Sequence, residues 1–125
     1  MTLILLSVAL GGALGAVLRY LLGSAVMDAS AGGFPYGTLA VNVLGSLVMG
    51  FLFFYFGGRV SDDSILRPLI FVGILGGFTT FSAFSIETLA LLNQGDYVRG
   101  GLNVILSVSL CIMAAALGMS MAKQL

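Results

Sequence analysis

Apolar positions in this chain come in four long blocks and do not alternate with polar ones. Thr2 to Leu18 is a run of 17 residues without a charge, which Arg19 interrupts and Tyr20 to Met27 continues. Ala29 to Gly58 is an uncharged run of 30 residues. Pro68 to Ile86 is one of 19 that resumes beyond Glu87 to Leu92, and Gly100 to Ala122 is one of 23. A helix needs about 20 apolar residues to cross a hydrocarbon layer of roughly 30 Å. The pattern predicts four transmembrane helices, near residues 2–26, 37–57, 68–92 and 99–122, in one domain over residues 1–125. Strands are a poor reading, because a membrane barrel needs period-two alternation and about eight strands at least.

The connections read as turns. Asp28 to Tyr36 is rich in Gly and Ser, Gly58 to Arg67 is the most polar segment, and Asn93 to Arg99 holds an Asn-Gln-Gly-Asp turn signal. The N-terminus lacks the basic flank and small-residue cleavage site of a secretory signal, so the first span is expected to be retained.

Composition sharpens the picture. Charged residues are 8% and apolar residues 59% of the chain, against about 25% and 45–50% in soluble domains. Five basic and five acidic side chains cannot coat a globule of this size, which excludes a water-soluble fold. Net charge zero removes the basic patch that nucleic-acid binding depends on. With no histidine and one cysteine, Cys111, there is no disulfide framework, zinc site or Cys-His pair. An enzyme is therefore not expected. Arg59, Arg67 and Lys123 lie on the side of both termini, against Arg99 on the other. That bias favours termini in the cytoplasm only slightly, and a chain so balanced could insert both ways up.

Small residues four apart let helices approach closely in lipid. Gly11 and Gly15, Ser46 and Gly50, and Gly73 and Gly77 have this spacing. Such faces, on helices that can bury little alone, point to a homo-oligomer.

Polar residues inside spans are functional candidates, since lipid makes them expensive. Arg19 and Glu87 are the ionisable ones; each could instead snorkel to an interface, or the two could pair. Asn42 stands in the apolar stretch Thr38-Leu-Ala-Val-Asn42; its amide suits either an interhelical hydrogen bond or an NH₂ donor facing an anion path. In the third span, Gly76-Gly-Phe-Thr79-Thr80-Phe81-Ser82-Ala-Phe84-Ser85-Ile-Glu87 disfavours a regular helix. A helix broken there frees carbonyls, which in transporters coordinate Na⁺; close packing of the glycines is the competing account. Phe81 and Phe84 share a face and could pack against lipid or meet an anion with their positive ring edges. Ser82 and Ser85 add hydroxyls. Asn103, Ser107 and Cys111 form an i, i+4 stripe on the last span, either a path or a helix–helix seam.

Over essentially all of its length, the chain resembles the Fluc (CrcB) family of fluoride channels. The resemblance rests on Gly11-Gly-Ala-Leu-Gly15-Ala-Val-Leu-Arg19-Tyr20, on Pro35-Tyr-Gly37-Thr38-Leu-Ala-Val-Asn42 and on the third-span motif above. It implies an all-α integral membrane protein of the bacterial inner membrane, a dual-topology antiparallel homodimer whose third helix is broken mid-membrane. It implies passive, fluoride-selective export through two pores, with fluoride, lipid and a second copy as partners. Asn42 would be the pore amide, and Phe81 and Phe84 the rings that meet fluoride edge-on. Arg19 would act near a vestibule; Glu87, Thr80, Ser82, Ser85, Asn103 and Ser107 would form a polar track. Main-chain oxygens of Gly76 and Thr79 would hold a structural Na⁺ that is not transported. Family members can carry tyrosine where Asn103 stands here, and serine where Cys111 stands. A small multidrug-resistance transporter would need an acid in the first span, where this chain has Arg19. A non-transporting assembly subunit would leave Asn42, Phe81 and Phe84 without a purpose.

Overall fold

In a computed structural model of the protein, which describes residues 1–57, 59 and 64–125, the described residues are helices and short connections. Helix α1 is Thr2–Ala29, α2 is Tyr36–Tyr55, α4 is Phe81–Asn93 and α5 is Tyr97–Ala122. Between α2 and α4, a π-helical segment, Pro68–Leu75, runs into a single turn, α3, Gly76–Phe78. Four stretches are long and apolar enough to cross a membrane: Thr2–Ala29, Tyr36–Tyr55, Pro68–Asn93 and Tyr97–Ala122. The chain is a multi-pass membrane protein. Gly58 and residues 60–63, part of the polar connection expected after the second span, lie outside the described residues.

Helix ends follow local chemistry. The first helix runs past the expected residue 26 to Ala29, and Ser30 turns extended before Gly32 and Gly33 adopt positive φ. Pro35 caps the start of α2, where its missing N–H is no loss. Gly95 takes φ +79 at the Asn-Gln-Gly-Asp turn. The Asp96 side chain then accepts from Arg99 N at 3.0 Å, starting α5 two residues before the expected 99.

Apolar side chains face outward along whole helices, among them Leu3, Leu10 and Leu21 of α1 and Ile105, Ile112 and Leu117 of α5. A helix apolar all round is at home in lipid. With lipid as apolar as leucine, the helices associate by close backbone approach. A Cβ on Gly15 would run into Ile74 O and one on Gly11 into Leu69 O, so α1 lies directly on the π segment and α3. Likewise Gly50 lies against Ala115 O, and Gly118 against Leu47 O, closing a seam between α2 and α5. These small-residue faces are thus used within one chain, which removes them as an argument for an oligomer. The two halves of the third span go to different partners: the π segment and α3 to α1, and α4 chiefly to α5.

Replacing Gly15 by Leu should force α1 away from the third span and lower stability by about 1–3 kcal/mol, the usual range for overpacking. Gly12→Ala, whose new Cβ would meet nothing within 4 Å, should leave the melting temperature in detergent unchanged. Thermal unfolding of both variants checks the contrast.

Candidate functional site

Thr79 and Thr80 are extended, at φ −81, ψ 156 and φ −150, ψ 115, and separate α3 from α4. Gly76 and Gly77, expected to loosen the helix, are themselves helical. What Gly77 supplies is room: a Cβ there would meet Gly12 O at 2.6 Å. The unwinding falls on two β-branched residues, which tolerate extended backbone well.

An extended pair inside a helix strands its backbone polar groups, and other groups have to satisfy them. Asn42 of α2 does so at Thr80. Its Nδ2 donates to Thr80 O at 2.9 Å, and Thr80 N–H donates to its Oδ1 at 2.8 Å. The amide expected to offer its NH₂ to an anion path thus spends one proton on the backbone and keeps the other. Thr79 N–H and Oγ1 both donate to Leu75 O, at 3.0 and 2.9 Å. Thr80 Oγ1 caps α4 by accepting from Ala83 N at 3.2 Å. In an unbroken helix Thr80 N–H would donate to Gly76 O; its capture by Asn42 leaves the Gly76 carbonyl without that donor.

Two clefts flank this clasp, and Thr80 lines both. The larger, about 690 Å³, is lined by Arg19, Thr38, Thr80, Glu87, Asp28 and Gln94 among others. The other, about 390 Å³, is lined by Asn42, Thr79, Thr80, Phe81, Phe84, Ser107 and Cys111 among others. Gly45 leaves space for the Thr79 side chain that walls it. Arg19 and Glu87 share the larger cleft, and no ion pair joins them among the described residues. Glu87 Oε1 instead accepts from Thr38 Oγ1 at 2.7 Å, while its Oε2 is buried with no hydrogen-bond partner among the described residues.

The phenylalanines differ in setting. Phe84 is buried, whereas Phe81 is 76% exposed, and their ring centroids lie 5.2 Å apart. Ser82 and Ser85 are exposed on the outside of α4, where Ser82 Oγ lies 3.3 Å from Thr80 Oγ1 and Ser85 Oγ donates to Phe81 O at 2.9 Å. Neither lines the clefts described here. Asn103 is enclosed between α4 and α5, donating to Thr88 Oγ1 at 2.9 Å and accepting from Ser107 Oγ at 3.4 Å. Gly76 is exposed and Thr79 half-buried. Among the described residues no cluster of His, Cys, Asp or Glu side chains could hold a metal, so a cation here would rest on main-chain oxygens. Thr38 and Thr88 take part although sequence reasoning did not select them. Spacing could have found both: Thr38 is four residues before Asn42, and Thr88 four after Phe84.

Comparison with known proteins places this geometry in context. Residues 6–119 match the family described as CrcB-like protein, Camphor Resistance (CrcB). A Magnetococcus marinus protein called fluoride-specific ion channel FluC is 53% identical over 112 residues, covering 90% of this chain and 91% of its own. A protein of the same description from Pseudoalteromonas translucida is 46% identical over 117 residues, covering 94% and 98%. Another from Paramagnetospirillum magneticum is 50% identical over 113 residues, covering 89% and 88%.

Asn42→Leu keeps similar bulk but strands the Thr80 N–H and carbonyl. Each stranded buried group costs about 1–3 kcal/mol, so the melting temperature in detergent should fall by several degrees. Hydrogen exchange at Thr80 and the first turn of α4 should accelerate, while exchange in the α2–α5 seam stays slow.

Proposed function

From the premise that this chain belongs to the CrcB family, we propose that it is a fluoride-selective passive channel that exports fluoride across the bacterial inner membrane and lowers its cytoplasmic level. It is a channel and not an enzyme. The observation that carries the reading is the partition at Thr80, with a cationic side chain in one cleft and aromatic rings with an amide in the other.

Fluoride is small and holds water tightly, so a selective pore has to replace hydration with closely set donors and exclude larger halides by size. Arg19 is permanently charged and raises anion concentration in the larger cleft without closing around the ion. Beyond Thr80, the unspent amide proton of Asn42 and the positive edges of Phe81 and Phe84 take over from water. The hydroxyls of Thr80, Ser82, Ser85 and Ser107 and the Glu87 carboxyl form the polar track on this reading. Ser85 and Ser107 spend their protons on protein acceptors at rest, so each must rotate before it can donate to a passing anion.

The exposed face of α4, with Phe81, Ser82 and Ser85, suits a second copy of the chain. An antiparallel homodimer inserted in both directions, with two pores and third helices broken mid-membrane, agrees with the small basic excess, three residues against one, on the two sides. Gly76, with a carbonyl that has lost its helical donor, and the extended Thr79 fit a hard cation through main-chain oxygens. These residues would hold a structural Na⁺ that supplies charge and rigidity at the junction.

Purified protein in liposomes loaded with fluoride or chloride, followed by an ion electrode, tests the reading. Fluoride should leave rapidly and chloride should be retained; equal release of both, or release of neither, overturns it. Asn42→Asp should abolish fluoride efflux, because a carboxylate donates nothing and repels the anion.

A further inference from the structure

Four hydrogen-bonding groups run in one direction between α5 and α4. Ser107 Oγ donates to Asn103 Oδ1 at 3.4 Å, Asn103 Nδ2 donates to Thr88 Oγ1 at 2.9 Å, and Thr88 Oγ1 donates to Phe84 O at 2.7 Å. The chain begins on a residue lining the smaller cleft and ends on the backbone of the buried ring that lines it from the other helix. Asn103 is its centre, 2% exposed and one of the largest fully enclosed side chains among the described residues.

We infer that Asn103 is a positioning residue that sets the width of the Phe84–Ser107 cleft and so its power to exclude larger halides, a role that rests on the channel reading above. Asn103 does not line either cleft and is enclosed between its neighbours, which places it behind the ion path. The bond to Thr88 is the side-chain hydrogen bond that joins α4 to α5 among the described residues. The other polar side-chain anchors of this half-helix, Thr80 to Asn42 and Glu87 to Thr38, both go to α2. They fix where α4 starts and one of its faces, and leave its distance from α5 to apolar contact and Asn103. A buried amide with directed partners holds that distance more sharply than non-directional contact does. Size selection needs such sharpness, because an apolar seam that gives by a fraction of an ångström admits a larger anion.

The test uses liposome efflux of fluoride and chloride by the full-length protein, with Asn103→Leu, Thr88→Val and the double variant. Both single variants delete the Asn103–Thr88 bond; Asn103→Leu also removes the acceptor of Ser107 Oγ, and Thr88→Val also removes the bond to Phe84 O, with almost no change of shape. Each should raise the chloride-to-fluoride efflux ratio by on the order of tenfold, the scale of one intramolecular hydrogen bond, while fluoride efflux continues. The double variant should fall well short of the product of the two single effects, since both single variants already remove the Asn103–Thr88 bond. Retained chloride exclusion in both single variants, or effects that multiply in the double one, would overturn the inference. So would loss of fluoride efflux in Asn103→Leu with chloride still excluded, which would place the amide on the ion itself. If Asn103→Leu elutes as aggregate, Thr88→Val alone decides by the same ratio. Absence of fluoride efflux from the unsubstituted protein would overturn the channel reading, and this inference with it, before any substitution is compared.

Discussion

The pair of hydrogen bonds between the Asn42 amide and the backbone of Thr80 is the constraint on which the arrangement depends. In lipid there is no water to satisfy a stranded N–H or carbonyl, so an extended pair of residues within a spanning segment is unstable unless a side chain takes the place of the missing helical partners. An amide is the side chain for this task, because it donates and accepts side by side. With Asn42 on α2 held to Thr80 at 2.9 and 2.8 Å, the extended Thr80 keeps its N–H and carbonyl satisfied. The clasp that repairs the backbone also forms the wall between the two clefts.

On either side of Thr79 and Thr80, the span meets different partners. The π segment and α3 lie on α1 along Gly11 and Gly15, while α4 lies on α5. The seams also differ in kind. The α1 and α2–α5 seams depend on glycine and backbone approaching closely, the means open to helices surrounded by lipid. Helix α4 is tied through Thr80, Glu87 and Thr88 to Asn42, Thr38 and Asn103. Its placement is therefore directional, which suits the helix that presents Phe81 and Phe84.

Polar groups near the clefts are mostly engaged. Thr79, Ser85 and Thr88 donate to carbonyls four residues earlier, Ser107 to Asn103, and Thr38 to Glu87. Hydroxyls in helices commonly return to the preceding turn in this way. Glu87 Oε2 stays open, facing no donor among the described residues. On the proposed channel reading, a surface of spent donors, one free amide proton and ring edges would replace part of an anion's water without a deep well.

The sequence alone determined what can be read from spacing and sign. Ten charges placed between long apolar runs established four spans and excluded a soluble fold, because hydrocarbon thickness fixes helix length. Arg19, Asn42 and Glu87 stood out because a polar residue in a span is conspicuous, and the ordered motifs carried the family. Which partner each of them meets was decided by tertiary structure alone. Spacing did not show that the glycine faces serve one chain's own seams, that unwinding falls on Thr79 and Thr80 and not on Gly76 and Gly77, or that Asn42 spends its amide on a backbone. Nor did it show Asn103 enclosed between α4 and α5, or Thr38 and Thr88 as partners at separations of 49 and 15 residues. The physical reason is one of range. Periodicity reports a residue's face on its own helix, whereas a hydrogen bond across helices depends on their crossing and depth, which only the packed chain sets.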